Sequence, residues 1–466
     1  MTKINTIRVV IFMLILIILL CSNTVSCVKQ QLPEKPFSSK EITLTPSEDV
    51  SVTIATDVYV MPVAELETTK TYPDIIKIEN KYVKVSAIPN RGRLIFDYEF
   101  KPTGNSEFLS NTKPSTVKTT SDYMVEFGGY YLSIPWNPRD RQPYDLEYKL
   151  TKEGPDVVEV YMWGEDFISL AFVEFWLTVK RDSSFVKLET KISNKTEKDI
   201  NIKLKDYSII TPGGGMTDSS SLIIPTSEVI VEQSKDNWMG SKGDVISWPS
   251  ALSTWSGFDN FGLFYVSADK MMAPFFSVIN HDTKDTLIKI WEPYDFFEGI
   301  FVWSFGNTYE EIKGAEPTVN FESYKGNVSI PVGETVNFTT YFYAVRDLKN
   351  VMMANTEFAG WLMPDKQVYE IVNNQPIEIQ LQVGSSRDYE NINLEVFLAD
   401  LNENVLEKVI TEQVAALSPE ILFDMSWKIK PKDIINTPGE YIFKLELLDT
   451  NGSLIFTLAS PSILIK

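Results

Sequence analysis

Residues 128–143, GGYYLSIPWNPRDRQP, contain a dense group of side chains that could contact a ligand. The stretch provides aromatic rings, an amide and two guanidinium groups from Tyr130, Trp136, Asn137, Arg139 and Arg141. Sugars stack their flat C–H faces on aromatic rings and pair their hydroxyl groups with amides and guanidinium groups. The stretch therefore favours a carbohydrate site, and its arginines suit uronic acids or sulfated sugars, whose anions accept paired hydrogen bonds.

The same stretch is also typical of a strand followed by a stiff loop. Its first half alternates side chains as a strand does, and Pro135 and Pro138 would stiffen the exit. In this interpretation the two arginines pair with nearby carboxylates and contact no ligand. The sequence leaves both interpretations open.

Two tryptophans outside this stretch, Trp248 and Trp303, are predicted to be stacking platforms on loops. Trp248 precedes Pro249, and Trp303 lies shortly before Gly306. The alternative for both is packing in the core or at a sheet edge.

Several chemistries are excluded by what the chain lacks. It has one histidine, His281, which lies in a polar stretch predicted to be the tip of a hairpin, so serine hydrolysis is poorly supported. Its only cysteines, Cys21 and Cys27, lie at the N-terminal leader. No phosphate loop, zinc spacing or calcium loop is visible in the sequence. We therefore expect neither a metal nor another cofactor.

The net charge of −20 argues against nucleic acid as a partner, because a phosphate backbone requires a cationic surface. An acidic, solvated surface that limits self-association explains this charge. A field that steers a cationic ligand is the alternative.

The N-terminus is typical of an export signal. Lys3 and Arg8 form a basic region, and residues 9–20 form an apolar run too short for a comfortable membrane span. Ser26 before Cys27 resembles the cleavage site of a bacterial lipoprotein. We expect a signal peptide over residues 1–26, lipidation of Cys27 and an extracytoplasmic location at the cell envelope. A plain secretory peptide or an uncleaved anchor is the alternative.

A tether over residues 27–45 is followed by dense strand signals. Apolar and polar residues alternate in many short runs separated by turn residues, for example at 82–88, 157–162, 185–192, 200–204 and 336–344. This pattern predicts an all-β fold with a large antiparallel sandwich over residues 46–347.

A second domain is predicted beyond a linker at residues 348–360, which we expect to contain a short helix near 348–358. Residues 361–466 alternate again, and Asn451-Gly452 predicts a hairpin turn. About a hundred residues with short strands of this kind suit an immunoglobulin-like β-sandwich.

Four stretches of the large domain resemble galactose-mutarotase-like domains in serial order. Residues 78–95, IENKYVKVSAIPNRGRLI, resemble the family's opening strand and its Gly-Gly-Arg turn. Residues 129–138 resemble a GGIEWNFP segment of one uncharacterised branch, and residues 261–306 and 319–345 resemble its later hairpins and closing strands.

This resemblance implies a β-supersandwich whose concave face binds carbohydrate. The superfamily includes epimerases, sugar-binding proteins and domains of polysaccharide lyases, so the fold alone fixes no reaction. The resemblance places Arg93 where many relatives have a substrate-facing arginine, and Glu322 in the segment that supplies the base in some family enzymes. A surface salt bridge for Arg93 and a solvent-facing position for Glu322 are the alternatives.

Ordinary mutarotation is not expected. The family's enzymes generally use a histidine acid, because imidazole donates a proton near neutral pH. In the similar branch a histidine often follows the WNFP segment, and here Arg139, Asp140 and Arg141 occupy that place.

The sequence therefore predicts an exported, lipid-anchored protein that binds an oligosaccharide or glycan through its mutarotase-like domain, with carbohydrate and membrane as partners. One alternative is an epimerase or lyase that uses Glu322, Tyr130 and arginines in place of histidine. The other is a structural or assembly protein of the cell envelope, which a ligand-facing side filled with aliphatic residues would favour.

Overall fold

The computed structural model describes the chain from residue 44 onward, with gaps. The described residues are 44, 46–63, 66–108, 115–118, 124–134, 145–166, 168–250, 253–254, 262–305, 312–313, 318–435 and 437–466. The predicted signal peptide, Cys27 and all but the end of the predicted tether lie outside them. Among the described residues, no helix is long and apolar enough to cross a membrane.

Strands form nearly all of the regular structure up to residue 346. The first twelve are Ser51–Val63 (β1), Leu66–Glu79 (β2), Val83–Ile88 (β3), Arg93–Phe100 (β4), Asn105–Ser106 (β5), Ser115–Lys118 (β6), Met124–Phe127 (β7), Gly129–Ser133 (β8), Glu147–Glu153 (β9), Val157–Glu165 (β10), Phe172–Lys180 (β11) and Val186–Ser193 (β12). The next are Ile200–Ile210 (β13), Ser221–Ile223 (β14), Glu228–Ser234 (β15), Val245–Ser247 (β16), Gly262–Ser267 (β17), Phe275–Asn280 (β18), Asp285–Glu292 (β19), Gly299–Phe305 (β20), Ile312–Lys313 (β21), Thr318–Ile330 (β22) and Thr335–Arg346 (β23). Short 3-10 turns occur at Pro89–Arg91, Pro212–Gly214, Lys235–Asn237 and Ala268–Lys270.

Two large antiparallel sheets are built from these strands. The described residues place 12 strands in one sheet, in the order β1-β2-β3-β4-β8-β13-β22-β20-β17-β15-β16, with β5 paired to β4. They place 8 strands in the other, in the order β14-β18-β19-β23-β12-β11-β10-β9. Strands β21, β6 and β7 form a small separate sheet. The predicted all-β class is confirmed.

The core lies between the two large sheets. Strands such as β10, β11 and β12 bury apolar residues at alternate positions, as period-two patterning requires. Aromatic rings from opposite sheets meet there: Phe321 of β22 stacks on Phe276 of β18 at 3.7 Å between ring centroids. The ring of Tyr130 in β8 meets Phe342 of β23 edge-on at 5.2 Å.

The C-terminal residues form two further sheets around a second core. Their strands are Met353–Ala354 (β24), Phe358–Pro364 (β25), Val368–Tyr369 (β26), Ile377–Ser385 (β27), Tyr389–Ala399 (β28), Val405–Leu417 (β29), Phe423–Ile429 (β30), Gly439–Leu448 (β31), Leu454–Ala459 (β32) and Ile463–Ile465 (β33), with one helical turn at Pro431–Ile434. One sheet has the order β24-β25-β27-β30, and the other β26-β33-β31-β28-β29, with β32 paired to β31. The turn between β31 and β32 contains Gly452 at φ 81°, as the Asn-Gly pair predicted. The immunoglobulin-like assignment of 361–466 stays a prediction.

The short helix predicted near residues 348–358 is wrong. Asn355 forms a turn there, because its Oδ1 accepts hydrogen bonds from the backbone N–H groups of Glu357 and Phe358 at 2.9 and 2.8 Å. This turn joins β24 to β25, which pair with each other. Asparagine competes for backbone hydrogen bonds in this way, and here the turn prevails over the helical spacing of the apolar residues.

A third apolar cluster connects the large sheets to the C-terminal sheets. It joins the outward residues of β18, β19 and β23, such as Ile288 and Tyr343, to Leu348, Val351 and Trp361. Polar contacts continue the connection, for example the salt bridge of Lys81 with Asp388 at 2.7 Å. Residues Leu44–Lys466 accordingly form one compact unit.

Candidate functional site

The central strands of the 12-stranded sheet carry polar residues on both faces. On β13, Asp206 and Ser208 point into the core, whereas Lys205 and Tyr207 lie on the opposite face, because successive side chains of a strand alternate. We call the face that bears Lys205 and Tyr207 the outer face of the 12-stranded sheet. The candidate site lies on this face.

A cation and two aromatic rings form the first part of the site. The guanidinium carbon of Arg93 lies 4.2 Å from the ring centroid of Tyr131. Tyr131 in turn stacks on Tyr207, its cross-strand partner, at 4.7 Å and 6°. Cation–π and aromatic contacts of this kind contribute about 0.5–1.5 kcal/mol each. The stack extends across β4, β8 and β13.

Gly129 allows β8 to approach β4 closely. Its φ of +70° is in the left-handed region, and a Cβ atom there would overlap the backbone oxygen of Ile95. Ile95 pairs with Tyr130 across the two strands. The close approach thus brings the start of β4, with Arg93, next to Tyr131.

An ion pair forms the second part of the site. Lys205 Nζ donates to Glu322 Oε2, and the two side chains are only 2% and 4% exposed. Asn320 Nδ2 donates to the other carboxylate oxygen at 2.7 Å. The ammonium group also lies 4.3 Å from the ring centroid of Phe301 on β20. Because burying two charges costs several kcal/mol per ion, the pair persists only with such additional contacts.

The two parts together combine the groups that recognise a polyhydroxylated ligand. Aromatic faces, two cations and a carboxylate occupy neighbouring strands of one face. Arg93 and Glu322 are both buried, at 4% and 3% exposure of the whole residue. Within the described residues, no group of three or more Asp, Glu, His or Cys side chains could hold a metal ion.

A second polar cluster lies on the core side of the same strands. Lys289 Nζ of β19 donates to both carboxylate oxygens of Asp206 at 2.8 and 2.7 Å, and to Ser208 and Ser323 at 2.9 and 3.0 Å. Both charged side chains are fully buried. Burial lowers the pKa of Lys289, and the negative charge of Asp206 opposes that change. We interpret this cluster as a link between the sheets, because its members lie in the core.

Tyr130, predicted to bind a substrate, lies in this core cluster. Its side chain is fully buried, and its hydroxyl donates to Asp206 Oδ2 at 3.2 Å. The expectation for Tyr130 is therefore corrected: its neighbour Tyr131 faces the candidate site. Sequence alternation shows that the two tyrosines point to opposite faces, but it does not show which of them faces the core.

The predicted stacking residue Trp248 is also a core residue. It follows β16 outside the strands, is 6% exposed and packs on Phe264 at 5.4 Å, which agrees with the alternative of core packing. Trp303 lies on β20, two residues from Phe301, and so shares the outer face with the ion pair. Its role in binding stays a prediction.

The remaining predicted site residues, Trp136, Asn137, Arg139 and Arg141, lie outside the described residues. His281 occupies the turn between β18 and β19, as predicted, where its Nε2 lies 2.9 Å from Ser221 Oγ. Burial lowers the pKa of this histidine. Of the residues expected to carry a site, the structure brings Arg93, Glu322 and Trp303 to one face.

Lys205, Tyr207 and Asn320 were not among the site residues predicted from the sequence. Lys205 and Glu322 are separated by 117 residues, and no local motif connects them. The available signal was the adjacent charged pair Lys205-Asp206, which interrupts the alternation of apolar and polar residues in strand β13. A strand that carries charges on both faces is typical of a polar cluster on each side of its sheet.

Comparison with known proteins supports the fold. No family model matches the chain. It is similar to the solved structure of a TPR-domain containing protein from Parabacteroides distasonis, with a TM-score of 0.56, 12% identity, and coverage of 66% of this chain and 58% of that protein. Galactose mutarotase-like proteins from Lactobacillus casei and Clostridium acetobutylicum are further structural neighbours, each with a TM-score of 0.39. They share 11% and 10% identity, with coverage of 58% and 63% of this chain and of 99% of each of those proteins.

The neighbours thus include proteins described as galactose mutarotase-like, the family that the sequence resembles. The likeness to the TPR-domain containing protein, at 12% identity, shows a shared fold and no shared function. Among curated proteins, the poly(A) RNA polymerase gld-4 of Caenorhabditis elegans is 25% identical over 176 residues, which are 38% of this chain and 18% of that protein. The chain therefore spans less than a fifth of that relative, and slightly under three fifths of the TPR-domain containing protein.

Proposed function

We propose that this protein binds carbohydrate on the outer face of the 12-stranded sheet. The observation that carries the proposal is the clustering of the Arg93–Tyr131–Tyr207 stack with the Lys205–Glu322 pair on adjacent strands. Aromatic faces accept the C–H faces of pyranose rings, and the charged groups accept and donate hydrogen bonds to hydroxyls. A mutarotase-like fold is consistent with a sugar-related role.

The side chains of this face favour binding over a purely structural role. An assembly protein would be expected to fill the face with aliphatic residues, whereas this one bears Arg93, Lys205 and Glu322. The two cations also favour acidic sugars, because guanidinium and ammonium groups pair with carboxylates and sulfates.

The proposal includes export of the protein and its attachment to a membrane by a lipid. The basic, apolar and small residues of the leader support a signal peptide over residues 1–26, and Cys27 is the proposed site of lipid attachment. A glycan-binding protein held at the cell envelope would meet its ligand outside the cytoplasm.

Catalysis is a second candidate, which the Lys205–Glu322 contact favours. A lysine ammonium can donate a proton and a carboxylate can accept one, so the pair provides an acid and a base without histidine. An epimerase or a lyase would use Glu322 as the base. Product analysis with any bound glycan distinguishes turnover from binding.

The proposal is tested by screening residues 46–466 on a glycan array that includes uronic acids and sulfated sugars. Glu322→Gln removes the negative charge with little change in shape, and we expect it to lose binding. Glu298→Gln is the matched control, since Glu298 is 48% exposed and lies outside the site. An array without a bound glycan, or equal binding by both variants, would contradict the proposal.

A further inference from the structure

The outer face of the 8-stranded sheet is covered over only part of its width. The C-terminal part packs on the outward residues of β18, β19 and β23, among them Ile288 and Tyr343. Beyond β23, strands β12, β11, β10 and β9 continue to the sheet edge. Their outward residues include Glu189 and Lys191, which are 43% and 40% exposed.

Three aromatic rings stack on this solvated part of the face. Tyr161 of β10 stacks on Trp163 of the same strand at 4.8 Å and 20° between the ring planes. It also stacks on Trp176 of β11, its cross-strand partner, at 4.9 Å and 28°. We call these three residues the aromatic ladder. All three rings remain partly exposed, although their strands bury apolar residues on the inner face.

Charged groups fix and flank the ladder. The hydroxyl of Tyr161 donates to Glu174 Oε1 at 2.7 Å, and Lys191 Nζ lies 3.4 Å from the other oxygen of that carboxylate. Burial raises the pKa of Tyr161 most, and the hydrogen bond to Glu174 raises it further. The hydroxyl therefore stays protonated and remains a hydrogen-bond donor. Lys149 of β9 is exposed, and its Nζ lies 5.3 Å from the Tyr161 ring centroid.

The ladder has the features of a ligand-binding surface. Cross-strand aromatic pairs also stabilise a sheet, typically by about 0.2–1 kcal/mol per pair. Stability alone, however, does not require two partly exposed indoles in one stack, because tryptophan exposes a large apolar area to water. The adjacent lysines and Glu174 provide hydrogen-bond donors and acceptors side by side.

We infer that the aromatic ladder is a second carbohydrate-binding surface, which contacts the C–H faces of pyranose rings in a polysaccharide chain. The chemistry of the surface indicates the class of ligand. Flat apolar rings bordered by hydrogen-bond donors and acceptors match a polyhydroxylated sugar ring better than an apolar peptide. The charged residues beside the ladder have both signs, since Glu147 and Glu174 pair with Trp163 across the strands and Lys149 and Lys191 lie next to them, so the surface offers both donors and acceptors. The inference shares its ligand class with the proposed function but uses none of the same residues.

Affinity gel electrophoresis tests the inference. Residues 46–466 are run through gels that contain soluble β-glucan, xylan, galactomannan or polygalacturonate, and retardation is compared with that in a gel without polysaccharide. Trp163→Ala and Trp176→Ala are each expected to weaken retardation about tenfold, which corresponds to about 1.4 kcal/mol. Trp163→Phe, which keeps a ring, and Glu298→Gln, which lies outside both proposed surfaces, are expected to retain it.

The outcomes separate the two surfaces. Retardation lost in the ladder variants but kept in Glu298→Gln supports the ladder, whatever the glycan array shows for the other face. If the alanine variants fail to fold by circular dichroism, Lys149→Ala tests the same surface from an exposed position and is expected to weaken retardation. Retardation unchanged in folded ladder variants overturns the inference. A wild-type protein that no polysaccharide retards also overturns the inference. If, in addition, the ladder variants change mass in light scattering, the surface is a contact between copies of this chain.

Discussion

Lys289 joins the two large sheets through its side chain. Its ammonium group reaches from β19 to Asp206 and Ser208 on β13 and to Ser323 on β22, with no exposure to solvent. Burying the two charges of such a pair costs free energy. Removing only one of them costs more, because the other charge is then left buried without a partner.

We therefore predict that Lys289→Met lowers the free energy of unfolding by about 3–5 kcal/mol. The matched control is Lys284→Met at the turn before β19. There the lysine is 59% exposed and its bond to Asp347 is a surface ion pair, worth at most about 1 kcal/mol. Urea denaturation of both variants measures the difference, and equal losses would show that the buried pair is unimportant.

Glu107 is a second residue with a predicted effect, in this case on pH dependence. It is fully buried, and burial together with the negative charge of Asp285 raises its pKa well above the ordinary value of 4.5. The folded state therefore binds a proton that the unfolded state releases above about pH 4.5. Stability is lost as the pH rises from there towards the folded-state pKa.

Glu107→Gln should remove this loss. We expect the free energy of unfolding of the variant to exceed that of the wild type increasingly above pH 4.5, by up to about 1.4 kcal/mol per pH unit. Denaturation at several pH values measures it, with Glu153→Gln on the exposed end of β9 as the control. A wild type and a Glu107→Gln variant whose stabilities change in parallel with pH would contradict the expectation.

At the scale of elements, the approach of β4 and β8 positions the aromatic stack. Gly129 and Gly104 have nearly equal φ values of +70° and +72°, but an added Cβ overlaps Ile95 only at Gly129 and meets nothing within 4 Å at Gly104. Alanine strains the backbone at both positions. The difference in stability between the two variants therefore measures the close contact of β8 with β4.

We predict that Gly129→Ala is less stable than Gly104→Ala by about 1–3 kcal/mol. Differential scanning calorimetry of the two variants gives the comparison. Equal melting temperatures would mean that the contact between β4 and β8 relaxes without cost.

Strands were more predictable than the site. Period-two patterning identified the strands at 157–162 and 336–344, because burial of one face requires it. The pattern could not choose between Tyr130 and Tyr131, since either could have faced the core. Nor could it pair Lys205 with Glu322, because contacts across 117 residues depend on the order of strands in the sheet.

At the scale of the whole molecule, the C-terminal sheets are joined to the large sheets by an apolar interface. Trp361 is 7% exposed there, and its Nε1 donates to Gln382 Oε1 at 2.8 Å. We predict that Trp361→Ala lowers the free energy of unfolding by about 3–5 kcal/mol, through the cavity and the lost hydrogen bond.

The control for Trp361 is Trp427→Ala. Trp427 lies on β30, away from the interface, and is only partly buried, so we expect a smaller loss. Chemical denaturation followed by circular dichroism measures both variants. A loss at Trp427 equal to or greater than that at Trp361 would contradict the importance of the interface.

The proposed function places carbohydrate on the outer face of the 12-stranded sheet. Hydrogen exchange tests it directly, with residues 46–466 measured alone and with the glycan that the array identifies. We expect the bound glycan to slow the exchange of backbone amides in β8, β13 and β22 around Tyr131, Lys205 and Glu322. Unchanged exchange in these three strands, with protection confined to other parts of the molecule, would contradict it.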